Sequence, residues 1–136
     1  MARINIDHLV KTFGQHIAVQ GLNLTIEDGE LLVLLGPSGC GKTTTLNCIA
    51  GLEAPTSGRI MFDGEDVTAE PPHRRNIAMV FQSSLLYPHM TARKNIGASL
   101  AKQGLDKQAV ADRIAEAAAT VDINGLLDKL PGQLSG

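Results

Sequence analysis

A chain of 136 residues is one domain in size and long enough to bury a core. Apolar residues make up 43% and charged residues 19%, which excludes a disordered polyelectrolyte. The net charge of −2, from 14 acidic and 12 basic side chains, excludes a general nucleic-acid binder, which carries a basic excess.

In chain order, residues 4–10 (INIDHLV) alternate apolar and polar and predict a strand. Residues 18–26 predict a second, with Val19, Leu22, Leu24 and Ile26 on one face and one slip in the alternation. Gly14 marks the turn between them, and Asp28-Gly29 marks the next. Residues 31–35 (LLVLL) are an unbroken aliphatic run, the pattern of a strand buried on both faces of a parallel sheet. A helix follows, with Leu46, Ile49 and Ala50 at helical spacing and Gly51 as its stop. Residues 59–67 predict a hairpin turning at Asp63-Gly64, and 71–76 (PPHRRN) a loop. Residues 77–81 (IAMVF) predict a second aliphatic strand. After Gln82 the pattern turns helical. Asp106 is a cap, and Val110, Ile114, Ala117, Ala118 and Val121 form one face.

The longest aliphatic run is far below the ~20 residues that cross a bilayer. The first residues lack the apolar stretch of a secretory signal. Both predict a cytoplasmic protein whose membrane role, if it has one, goes through a partner. Cys40 and Cys48 have neither redox-motif nor zinc spacing, so free thiols are expected.

The chemistry concentrates at residues 36–43. Gly36-Pro37-Ser38-Gly39-Cys40-Gly41-Lys42-Thr43 fits G-x-x-x-x-G-K-[ST] at every fixed position, between an aliphatic strand and a helix. A nucleoside triphosphate needs donors close to its oxygens. Glycines let backbone N–H groups approach, the helix start adds partial positive charge, and Lys42 adds a full one. The Thr43 hydroxyl suits Mg²⁺, an oxygen-seeking ion that keeps several waters. Cys40 lies near a helix start, where a thiol can acidify, yet the position equally suits any small side chain. A dinucleotide fold is disfavoured, because Thr44 stands where its third glycine is needed.

Three longer stretches carry a resemblance: LGPSGCGKTTTLNCIAGLEAPTSGRI, then RNIAMVFQSSLLYPHMTARKNI, then QLSG. With them the chain resembles an ABC transporter ATP-binding subunit, of the bacterial sugar-importer (maltose and glycerol-3-phosphate) type, from residue 4 to residue 136. The resemblance implies an α/β P-loop NTPase core. Residues 1–82 would be an N-terminal antiparallel β segment with the phosphate loop, and 83–136 the start of a helical subdomain. It implies ATP and Mg²⁺ as cofactors. It places ATP contacts at Phe13, Val19, the loop from Gly36 to Thr43, and Thr44. Phe13 would stack on adenine. Lys42 and Gln82 would serve catalysis, with Thr43 and Gln82 at the metal. Residues 83–90 would receive a helix of a membrane-spanning permease subunit. Leu134-Ser135-Gly136 match the first letters of the LSGGQ signature, which in this family caps the ATP of a second copy. On that reading the chain breaks off mid-signature. The general base, the second acidic strand and the switch histidine would lie further on, and turnover by these residues alone would be negligible. The implied location is peripheral, on the cytoplasmic face of the inner membrane, with no nucleic acid as partner. Two other readings share the loop: a non-transport ABC ATPase and a P-loop small-molecule kinase. The first is disfavoured by LLYPHMT, the second by the β-rich stretch before the loop. A non-enzymatic nucleotide-binding module is the remaining alternative.

Overall fold

The computed structural model describes residues 2–83, 85–101 and 103–134. They fall into two compact units, residues 1–80 and 81–136.

The first unit is built on a four-stranded antiparallel sheet in the order β2-β1-β3-β4. Strand β1 is Ile4–Phe13, β2 is His16–Ile26, β3 is Ser57–Phe62 and β4 is Glu65–Asp66. The slip in the second strand has a structural cause. Leu9 pairs with Leu22 and Lys11 with Val19, so β2 carries one extra residue there, at Gln20-Gly21. Gly21 takes φ 64°, and the bulge returns both Val19 and Leu22 to the core side.

Helix α1 (Lys42–Ala50) packs on this sheet through Cys48, which is fully buried among Ile6, Leu9, Val19, Ile60 and Phe62. Of the three residues at helical spacing, Ala50 is buried and Ile49 packs against the core, while Leu46 is half exposed; Thr45 and Cys48 are buried as well. Burial raises the Cys48 thiol above its ordinary value, so it stays a neutral apolar filler.

The C-terminal end of α1 has an unexpected partner. Arg75 is buried, at the end of the 3-10 turn Pro72–Arg74 within the expected loop. Its Nη1 donates to the carbonyls of Cys48 (2.8 Å) and Ile49 (2.9 Å). Its Nε donates to Glu70 O (2.8 Å) and its Nη2 to Thr68 O (3.0 Å). A cation at a helix C-terminus satisfies orphan carbonyls and complements the dipole. Burial lowers the Arg75 guanidinium below its ordinary value, and the neighbouring Glu70 carboxylate opposes that.

Two expected strands are absent. Residues 31–35 form no ladder among the described residues. The segment is extended and one-sided: Leu32 and Leu34 are half-buried, while Leu31, Val33 and Leu35 are exposed. Residues 77–81 likewise form no strand, and Val80 is almost fully exposed. A doubly buried strand needs neighbours on both edges and cover on both faces, and the described residues supply neither.

The second unit holds α2 (Ala92–Ala98) and α3 (Lys107–Thr120). Ile114 and Ala118 of α3 pack with Leu127 and, more loosely, with Ile96, Leu100, Val110 and Ile123. The buried stripe is narrower than expected, because Ala117 and Val121 are exposed. An Ala at 117 contributes little area, and Val121 lies past the last helical turn. Asp106 caps α3, accepting from Ala109 N–H at 2.8 Å. Asp106→Ala is expected to lower stability by about 1 kcal/mol in urea denaturation of the intact protein, with Asp106→Asn retaining most of it. Equal stabilities for the two variants would refute the cap.

Candidate phosphate-binding site

The loop rises from the extended segment into α1. Its backbone enters left-handed space, with φ 82° at Gly39 and 94° at Gly41. Gly41 is the N-cap and gives α1 no side-chain cap, and the first helical turn carries no acidic residue. The leading amides of a helix have no intrahelical acceptor, and here nothing anionic from the helix itself competes for them.

Lys42 opens the helix and folds back. Its Nζ donates to the carbonyls of Gly36 (2.8 Å) and Pro37 (2.7 Å) and lies 3.4 Å from Cys40 Sγ. The ammonium is therefore held on the loop's own backbone. Cys40 is exposed and free. Thr43 is exposed and Thr44 half-buried on the first turn of α1, and Pro37 and Ser38 are exposed. Thr43 thus presents a hydroxyl where a phosphate-bound Mg²⁺ could use it. Among the described residues no cluster of three or more His, Cys, Asp or Glu is placed to hold a metal by itself. That donor set fits an ion carried mainly by phosphate and water.

Gly41 lies hard against β2. A Cβ at this position would come within 2.3 Å of Ala18 O and 3.4 Å of Val19 Cγ2. Val19 is 9% exposed and belongs to the hydrophobic core, so it forms a floor behind the loop. Val19, Cys40, Gly41, Lys42 and Thr45 line a cleft of about 660 Å³ together with Leu34 and Leu35.

Phe13 ends β1 at the hairpin tip and is 47% exposed. Lys11 Nζ sits 4.7 Å from the centre of its ring. Gln82 lies in the second unit, exposed and in a bend, and does not end a strand as expected. Ser135 and Gly136 lie outside the described residues. In the 83–90 stretch Leu85, Leu86 and Tyr87 are exposed. Asn95 of α2 holds this stretch. Its Oδ1 accepts from Tyr87 N–H (2.8 Å), and its Nδ2 donates to the carbonyls of Met90 (3.0 Å) and Thr91 (3.1 Å).

Sequence reasoning missed Arg75, Lys11 and Asn95. Arg75 and Lys11 carry no motif. Asn95 lies in a stretch that the sequence reads only as helical, and its bonds to Tyr87, Met90 and Thr91 show only in the fold.

No helix of the described residues is long and apolar enough to cross a membrane. The family profile described as ABC transporter matches residues 19–136. The trehalose import ATP-binding protein SugC of Mycobacterium tuberculosis is 53% identical over 137 aligned residues, covering 100% of this chain and 35% of the relative. An Fe(3+) ions import ATP-binding protein, FbpC 1 of Pectobacterium atrosepticum, is 47% identical, covering 98% of this chain and 38% of the relative. The chain thus spans little more than a third of the curated relatives it matches. Among solved structures, MJ1267, an ATP-binding cassette of an ABC transporter, superimposes with a TM-score of 0.84 at 25% identity, over 100% of this chain and 60% of that one. The phosphate loop, the strand-and-helix frame behind it and these matches agree: the chain belongs to the ABC transporter ATP-binding family, with the α/β P-loop NTPase fold of its cassettes.

Proposed function

We propose that the chain is the nucleotide-gripping part of an ATPase subunit that drives import of a sugar-like solute. The observation that carries it is the Lys42 ammonium, poised on the Gly36 and Pro37 carbonyls at the start of α1. An incoming polyphosphate offers that ammonium anionic acceptors, which add ion–ion attraction to the ion–dipole bonds it makes to the two carbonyls. The loop amides and the start of α1 hold the β and γ phosphates, and Thr43 supports Mg²⁺. When bound, Mg²⁺ neutralises charge on the phosphate oxygens. Phe13 stacks on the base, and Val19 backs the loop. Gln82 orients water at the metal, and Ser135 and Gly136 cap the nucleotide of a second copy.

Residues 1–82 serve as the nucleotide-binding part and 83–136 as the helical subdomain. Leu85, Leu86 and Tyr87, on the stretch held by Asn95, form the docking surface for a membrane-spanning permease subunit. The protein then works as a peripheral subunit on the cytoplasmic face of the inner membrane, with no nucleic acid in its cycle. The sugar class follows the trehalose importer, which at 53% identity is more similar to this chain than the iron importer at 47%.

Lys42→Ala is expected to weaken ATP binding at least about tenfold in the intact protein, because a charge-assisted contact is lost. A fluorescent-nucleotide titration with unchanged affinity would rule out the loop as the triphosphate site.

A further inference from the structure

Lys11 and Phe13 stand two positions apart on β1 and therefore on the same face of the sheet. The Lys11 side chain is only 13% exposed, unusual for a lysine. Its ammonium is fixed from three directions. Glu53 Oε2 lies at 3.0 Å, the Ala54 carbonyl accepts at 2.8 Å, and the Phe13 ring centre is at 4.7 Å. Glu53 and Ala54 belong to the segment that leaves α1 after Gly51. The same segment braces the strand's backbone. Thr56 Oγ1 accepts from Thr12 N–H at 3.0 Å, and Thr56 N–H donates to Val10 O at 2.8 Å.

An exposed aromatic at a hairpin tip ordinarily samples several rotamers. Here a cation seated on the ring, itself tied to a carboxylate and a carbonyl, holds one of them. An ammonium attracts the π electrons of the ring it sits on. The far side of that ring is left less negative and is better matched to an electron-rich purine.

We propose that Lys11 is the positioning residue for base recognition: clamped by Glu53 and Ala54, it grips one face of Phe13 and presents the other to the purine. The inference rests on the reading of Phe13 as the base-stacking residue. Its ligand class is a purine nucleotide, and its action is on Phe13 rather than on the phosphates. A ring held ready forfeits less freedom on binding, so the gain appears as affinity for the base moiety.

The test is isothermal titration of the intact protein with ATP and with inorganic triphosphate, for the unaltered protein and for Phe13→Ala, Lys11→Met and Lys11→Arg. ATP is expected to bind the unaltered protein more tightly than triphosphate, and Phe13→Ala is expected to erase the difference. Lys11→Met is expected to weaken ATP about three- to tenfold with triphosphate unchanged, a range set by an ordinary cation–π contact and the stacking it supports. Lys11→Arg, which keeps the cation, is expected to restore most of the loss. Lys11→Met weakening both ligands equally, or neither, would overturn the proposal and leave Phe13 in its role. An unaltered protein with no preference for ATP over triphosphate, or a Phe13→Ala variant that keeps the preference, would instead remove the base-stacking reading and this proposal with it.

Discussion

Arg75→Met is expected to shift the urea midpoint of the intact protein down by about 1 M or more, a loss of roughly 3 kcal/mol. The residue's bonds are to four main-chain carbonyls, those of Cys48, Ile49, Thr68 and Glu70. Methionine fills much of the volume but donates nothing. A buried acceptor left without a partner costs about 1–3 kcal/mol. The Cys48 carbonyl is buried, while the other bonds are only partly so, and water can recover some of them. Gly51 allows the close approach: a Cβ there would stand 2.6 Å from Arg75 Nε. Lysine at 75 would keep the charge but lose the planar fork that reaches carbonyls on both sides. Arg75→Lys is therefore expected to recover less than half of the loss. A midpoint for Arg75→Met within about 0.3 M of the unaltered protein, near 1 kcal/mol or less, would show that the bonds contribute little.

Gly41→Ala is expected to weaken ATP at least about tenfold and to destabilise the protein by about 2 kcal/mol more than Gly39→Ala. Both positions have left-handed φ, at 94° and 82°, so both substitutions meet the dihedral penalty. They differ in what surrounds them. Nothing lies within 4 Å of a Cβ at Gly39, whereas at Gly41 the Ala18 carbonyl stands at 2.3 Å. That neighbour is main chain near the start of β2 and cannot rotate away. The helix start must lift from the sheet, carrying Lys42 and the leading amides with it. Denaturation and nucleotide titration on the two variants side by side decide the matter. Equal effects would mean that the contact with β2 is not what fixes the loop.

Much of this architecture is legible in the sequence because it is local. The alternation in residues 4–10 and 18–26 gives β1 and β2, Asp63-Gly64 gives the β3–β4 turn, and Asp106 gives the start of α3. The phosphate loop is legible because its chemistry needs glycines and a lysine at fixed intervals. What failed is what depends on distant neighbours. Residues 31–35 and 77–81 have the composition of buried strands, but composition cannot supply the adjacent strands that make burial possible. Helical spacing groups Leu46 with Ile49 and Ala50 but cannot say that Leu46 stays half exposed; the close packing of Cys48 against Ile6 and Ile60 sets which side of α1 is buried. Arg75 was read as part of a polar loop. Its role depends on the chain folding back from residue 75 to residue 48, which no local pattern encodes. Lys11 escaped for the same reason, since its anchors are Glu53 and Ala54.

The extended run at 31–35 has a practical corollary. Leu31, Val33 and Leu35 project outward in register along a backbone that joins no ladder among the described residues. Such a stretch is aliphatic, β-prone and uncharged, the description of an adhesive edge that recruits like segments from other molecules. Samples in which this edge is uncovered will be limited by self-association before they are limited by unfolding. Charged or proline substitutions at Val33 are the natural place to suppress it.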